Sequence, residues 1–121
     1  MTIRALHHVQ LAMPMAGEKV ARAFYHGLLG LPEVPKPPIL AARGGVWFQS
    51  DQVRVHLGID PDFMPAKKAH PAFLVNGVMD LLKRLEGAGV PVIHDDALPG
   101  FLRGYVEDPF GNRIELLEPK V

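Results

Sequence analysis

The stretch Asp108-Pro109-Phe110-Gly111-Asn112-Arg113-Ile114-Glu115-Leu116-Leu117-Glu118 reads as a tight turn that delivers a strand. Pro109 fixes one backbone angle, Gly111 can take a positive φ, and Asp108 and Asn112 suit the ends of a turn. Beyond the turn the residues alternate. Ile114 and Leu116 share one face, and Arg113, Glu115 and Leu117 share the other. An acid is thereby placed mid-strand, opposite the branched apolar residues. A carboxylate there is costly unless it meets a partner or a metal ion, so the rest of the chain has to supply one.

Upstream, the same kind of strand recurs. Residues 3–13 alternate, with His7, Val9, Leu11 and Met13 on one face and His8, Gln10 and Ala12 on the other. Residues 17–29 have helical spacing, with Val20, Phe24 and Leu28 as the apolar stripe and Ala23 beside them. Gly30 stops that helix. Four prolines in residues 32–42 leave room for a short edge strand and a loop. Val46-Trp47-Phe48-Gln49 and Val53-Arg54-Val55-His56-Leu57-Gly58-Ile59 are strands; His56 and Arg54 oppose the valines. Of Trp47 and Phe48, one faces the core and one the opposite side, and pattern alone leaves open which.

After the proline-broken connection at residues 60–68, the order begins again. Residues 69–75 form a strand with His70, Ala72 and Leu74 on one face. Asn76 can cap a helix over 78–86 whose stripe is Val78, Leu81, Leu82 and Leu85. Residues 90–93 form an edge strand, 94–102 a loop, and 103–107 a strand that leads into the turn at Asp108. Two halves thus share the order strand, helix, strand, strand, strand, and such an internal repeat governs the fold. His8 and His70 occupy the first strands, His56 and Glu115 the last. The spacings are close: 48 residues from His8 to His56 and 45 from His70 to Glu115.

Composition narrows the function. Thirteen basic and thirteen acidic residues cancel, which gives no electrostatic footprint for nucleic acid or an anionic membrane. With no cysteine, thiol catalysis and disulfides are excluded. No signal peptide or membrane-spanning run is read from the start of the chain, so the expected location is the cytoplasm. Six histidines are the available supply of ligands and proton carriers.

Leu6-His7-His8-Val9, Ala23-Phe24-Tyr25 with Leu28-Leu29-Gly30-Leu31, His70-Pro71-Ala72-Phe73, and Tyr105 through Leu116, in that order, resemble the vicinal oxygen chelate superfamily. That group includes glyoxalase I, fosfomycin-modifying transferases, methylmalonyl-CoA epimerase, extradiol dioxygenases and bleomycin-binding proteins. The resemblance covers essentially the entire chain. It implies an α+β fold in which two βαβββ modules form a curved-sheet cup with helices on the outer face. Module one would span about 3–60 and module two about 69–121 of a single domain covering 1–121. It also implies one divalent ion (Zn, Fe(II), Ni, Co or Mn) held by His8, His56, His70 and Glu115. All four lie opposite the branched apolar set of their strands.

The implied activity is that of a metal-dependent lyase, isomerase or dioxygenase acting on a small oxygen-rich substrate chelated through neighbouring oxygens. A thiol co-substrate belongs to some of these reactions. Glu115 and His56 would carry the chemistry, and His56 is either a ligand or the base. Glyoxalase I usually has glutamate at that position and the epimerase glutamine, so neither base assignment transfers. Gln10, Arg54, Arg103 and Tyr105 share the inward face by alternation and are the substrate-binding candidates. The two arginines either pair with Glu107 or Glu115 or bind an anionic group. The alternative is a non-catalytic drug- or metabolite-binding protein on the same fold. A homodimer is expected.

Overall fold

The computed structural model describes all residues 1–121. The chain divides into two compact units, Met1–Met64 and Pro65–Val121. Each is a βαβββ module with a four-stranded mixed sheet. In the first, the strands are β1 (Val9–Met13), β2 (Glu33–Val34), β3 (Val46–Ser50) and β4 (Val53–Ile59), ordered β1-β4-β3-β2. In the second they are β5 (Ala72–Leu74), β6 (Val92–Asp95), β7 (Phe101–Glu107) and β8 (Arg113–Pro119), ordered β5-β8-β7-β6. The repeated chain order therefore becomes a repeated topology, with first and last strands parallel and adjacent in both units.

Alternation decides which side chains enter each core. In the first unit Leu11, Met13, Val46, Phe48, Val55 and Leu57 are buried on one face of the sheet. Phe48 stacks on buried Tyr25 at 5.6 Å. Trp47 pairs with His56 across β3 and β4, so Trp47 occupies the opposite, polar face. In the second unit α3 (Val78–Gly87) buries Val78, Leu82 and Leu85, and the sheet contributes Val106, Ile114 and Leu116. Each such leucine stabilises the unit by roughly 1.5–3 kcal/mol relative to exposure.

The first helix departs from the spacing reading. Only Glu18–Ala21 (α1) is α-helical, and Arg22–Leu28 continues as a π-helix. The Leu29 amide accordingly donates to the Phe24 carbonyl at 2.9 Å, five residues back. Wider turns shift the inward phase. Ala21, Phe24 and Tyr25 are buried, while Val20 of the expected stripe is 47% exposed and Ala23 is exposed too.

Other boundaries move for identifiable reasons. The first strand begins only at Val9, so His8 sits one residue ahead of it, and β5 begins at Ala72, two residues beyond His70. Residues 3–7 are not strand. His7 does not face the helix side; it is exposed, with Nδ1 3.0 Å from Nδ1 of His8. The proline-rich segment holds β2 and one helical turn, α2 (Pro38–Ala41). His94 lies within β6 rather than in a loop, paired with Gly104. Asn76 does not cap α3. Gly77 occupies that position with φ 79°, and the Glu118 carboxylate from β8 accepts hydrogen bonds from the Gly77 and Val78 amides at 2.8 and 3.1 Å. The helix dipole favours an anion there.

The turn before β8 is built around two buried side chains. One Asp108 carboxylate oxygen accepts from the Phe110 and Asn112 amides at 2.9 and 2.8 Å, and the other from Asn112 Nδ2 at 3.0 Å. Gly111 takes φ 90°. The Asn112 carboxamide oxygen in turn accepts from Ala66 N at 3.1 Å, and Arg113 N donates to the Ala66 carbonyl at 3.0 Å. The end of the 60–68 connection is thereby fastened to the turn.

Candidate functional site

In the second unit, register places Tyr105 opposite Glu115 and Arg103 opposite Leu117, with Ala72 beside Glu115 on the other flank. Glu115 is 8% exposed, so its charge requires partners. It has two. Oε1 lies 3.0 Å from His70 Nε2, and Oε2 accepts from Arg103 Nη1 at 3.3 Å. Arg103 is itself held by Asp95 at 2.8 Å. That contact lowers the Asp95 carboxyl below its usual range and raises Arg103 above its own, in both cases first through the hydrogen bond they share. Tyr105 packs edge-on to His70 at 5.7 Å, under the Arg113 guanidinium at 4.0 Å.

The His70 ring is polarised by what it touches. Its Nδ1 is 2.8 Å from the Lys68 carbonyl oxygen. A carbonyl can only accept, so Nδ1 carries a proton. The neutral ring then presents a lone pair at Nε2 to a carboxylate oxygen, and two lone pairs 3.0 Å apart call for a cation between them. A second proton would serve. So would a divalent ion, since two donors at adjacent positions on an ion with bonds of about 2.1 Å stand about 3 Å apart. Fixing the remote ring N–H on a backbone carbonyl is the usual way a metal-binding histidine is oriented. These two residues fit a metal ion.

In the first unit, register puts Gln10, Trp47 and His56 side by side, with Arg54 paired to Gln49 on the same face. His8, His56 and Trp47 form a stack: His56 lies 4.2 Å from His8 and 3.9 Å from Trp47, with interplanar angles of 18° and 4°. His56 is 7% exposed, and its pKa is lowered to about 4 by burial, then by the neighbouring charges of His8, His7, Lys36 and Arg54. It is therefore neutral at physiological pH. The stacked His8 and His56 rings run their in-plane lone pairs side by side rather than toward one point. Gly58 leaves room for the Gln10 carboxamide, which a Cβ would meet. The polar face opens into a cavity of about 610 Å³ lined by these rings, Lys36, Arg43 and Arg54.

The structure thus joins His8 to His56 and His70 to Glu115, as two pairs. No group of three or more His, Asp or Glu side chains gathers in a way that could hold a metal ion. Gln10 and Arg54 share the His56 face; Arg103 and Tyr105 share the Glu115 face. Asp95, Lys36 and Trp47 join these surroundings although pattern did not single them out as site residues. Asp95 was legible only through a register that makes it the partner of Arg103.

The family model of the Glyoxalase/Bleomycin resistance protein/Dioxygenase superfamily matches residues 5–116, and the chain belongs to that superfamily. A glyoxalase family protein from Bacillus anthracis, so described, is 46% identical over 99% of this chain and 98% of its own, with a TM-score of 0.95. A lactoylglutathione lyase from Agrobacterium tumefaciens is 24% identical over 98% of this chain and 96% of its own, TM-score 0.75. An antibiotic binding protein from a Streptomyces species is 20% identical over 98% of this chain and all of its own, also at 0.75. The last two likenesses are of fold alone. No curated protein matches the sequence significantly.

Proposed function

We propose that the chain is a divalent-metal-dependent enzyme of the glyoxalase type, a lyase, isomerase or dioxygenase, acting on a small oxygen-rich substrate. The observation that carries this reading is the His70–Glu115 pair, whose facing donor atoms and fixed Nδ1 proton suit a metal ion. His8 and His56, a separate pair in this structure, are the further donors that the family resemblance implies. When bound, the ion would supply Lewis acidity, polarising substrate oxygens and stabilising the negative charge that develops on them. Arg103 holds one Glu115 oxygen and leaves the other facing His70. His56, kept neutral down to about pH 4, has a lone pair free for ligation or for taking a proton from substrate. Gln10, Arg54, Arg103 and Tyr105 are proposed to contact the substrate.

The test is metal content followed by turnover. Protein dialysed against Zn(II), Ni(II), Fe(II), Co(II) or Mn(II) should retain one equivalent of ion per site, and His70→Ala should lose it. The loaded protein is then assayed with a hemithioacetal of methylglyoxal and glutathione, with fosfomycin and with catechols. Absence of stoichiometric metal with every ion would sink the enzyme reading. A second reading, ligand sequestration without chemistry, is favoured by the His8–His56–Trp47 stack beside a cavity of ligand size.

We further infer a cytoplasmic homodimer. Leu74 and Ile93 support the dimer: they are 74% and 66% exposed at opposite edges of the face that carries Glu115, and apolar groups so placed favour burial against another surface. Light scattering measures this directly.

A further inference from the structure

The cavity of the first unit holds a charge imbalance that the chain as a whole does not. Thirteen cationic and thirteen acidic residues balance overall, yet Lys36, Arg43 and Arg54 all line this cavity and no Asp or Glu does. Three basic side chains outside the cavity are neutralised by acids. Arg22 pairs with Glu33, Lys67 with Glu107, and Arg103 with both Asp95 and Glu115. None of the three cavity cations forms an ion pair. The Lys36 ammonium donates to the Gly44 carbonyl and lies 6.0 Å from the Trp47 ring centre; Arg54 donates to the His7 carbonyl at 3.3 Å. Both contacts are to neutral acceptors, so they orient the cations without an ion pair; the carboxylate beside this segment, Glu18, accepts from the Gly45 amide at 3.1 Å.

A concave site lined by one sign of charge concentrates counter-ions of the opposite sign. Guanidinium and ammonium groups are also the side chains best matched to carboxylate and phosphate oxygens. The cavity volume, about 610 Å³, lies within the range of small-molecule sites. We propose that this cavity binds the anionic group of a small ligand, a carboxylate or a phosphate-type group, through Lys36, Arg43 and Arg54. The Trp47 ring lines the space beside it. This deepens the enzyme reading by making its substrate an anion, and it is tested without metal so that the two fail separately.

Trp47 is the only tryptophan in the chain, so its fluorescence reports on this cavity. The probes are phenylphosphonate, benzoate and neutral benzamide. They are titrated into protein stripped of metal by chelator and dialysed free of it. The expected result is that at least one anion perturbs the emission at a concentration tenfold or more below that needed for benzamide. Its affinity should fall as salt is raised. Lys36→Met and Arg43→Gln should each weaken it about five- to tenfold. Arg43 is exposed and without an ion pair, so its variant keeps the fold, which circular dichroism verifies. The two anions separate a carboxylate preference from a phosphate preference. Equal binding of benzamide, unchanged affinity in the Arg43→Gln protein, or no emission change with any probe at millimolar concentration would overturn the proposal.

Discussion

His70 and Glu115 face each other through Nε2 and Oε1 at 3.0 Å, with the opposite ring nitrogen fixed on the Lys68 carbonyl. A second pair in the same unit, His94 and Glu86, has the same 3.0 Å separation. The two differ in surroundings. His70 and Glu115 side chains are 23% and 10% exposed, whereas His94 and Glu86 are each 49% exposed. An exposed pair contributes little in water, and a buried one must be satisfied.

That contrast gives the first prediction. His70→Gln or Glu115→Gln should weaken metal retention by a hundredfold or more. His94→Gln, which removes an equally short contact, should leave it unchanged. Titration of each variant with a competing metal chromophore checks this.

The buried Asp108 accepts three hydrogen bonds within its turn. Asp108→Ala leaves those donors short of acceptors, at about 1–3 kcal/mol for each group that stays buried and unpaired. A loss of roughly 2–4 kcal/mol is expected in urea unfolding. Metal retention should fall as well, because the turn sets the register that brings Glu115 beside His70.

Gly45 has φ 90°, and a Cβ there would lie 2.5 Å from the Leu57 carbonyl oxygen. Backbone cannot retreat cheaply, so Gly45→Ala should cost more than about 1 kcal/mol. The Trp47 emission should shift with it, since Gly45 directly precedes β3. A neutral stability effect would show that the turn relaxes without cost.

His56 should make the metal-free protein pH-sensitive. Its folded pKa of about 4 lies below the ordinary 6.5, so between these values the unfolded chain binds more protons. Its contribution is complete above about pH 6.5 and is lost as the pH falls toward 4, an amount on the order of 2 kcal/mol. Burial is the main cause. The charges facing it come from His8 and His7 ahead of β1, Lys36 after β2, and Arg54 on β4. Urea unfolding at several pH values should give a shallower pH slope for His56→Gln than for the parent protein.

The face of each strand was legible in the sequence because side chains alternate with period two. Val55 against His56, Ile114 against Glu115, and Gln10 on the same face as His8 follow from that alone. Helix content in the first unit was less legible. Apolar spacing at Val20, Phe24 and Leu28 fits an α-helix, but five-residue hydrogen bonding through Arg22–Leu28 turns Tyr25 inward and Val20 outward. No periodicity rule distinguishes these; the inward turn of Tyr25 is matched by its packing on Phe48, a residue of another element. The cap of α3 was equally hidden: its acceptor, Glu118, is 41 residues from Gly77.

The sequence by itself determined the repeat, the superfamily and the chemical character of His8, His56, His70 and Glu115, because spacing and side-chain type are local properties of the chain. Only the tertiary structure decided which partners they meet. Strand register put Trp47 rather than Phe48 against His56, and the folded backbone brought His70 and Arg103 to Glu115 and gathered Lys36, Arg43 and Arg54 around one cavity. Such pairings join residues 9 to 45 positions apart, and they are fixed by tertiary hydrogen bonding and burial that no local pattern contains.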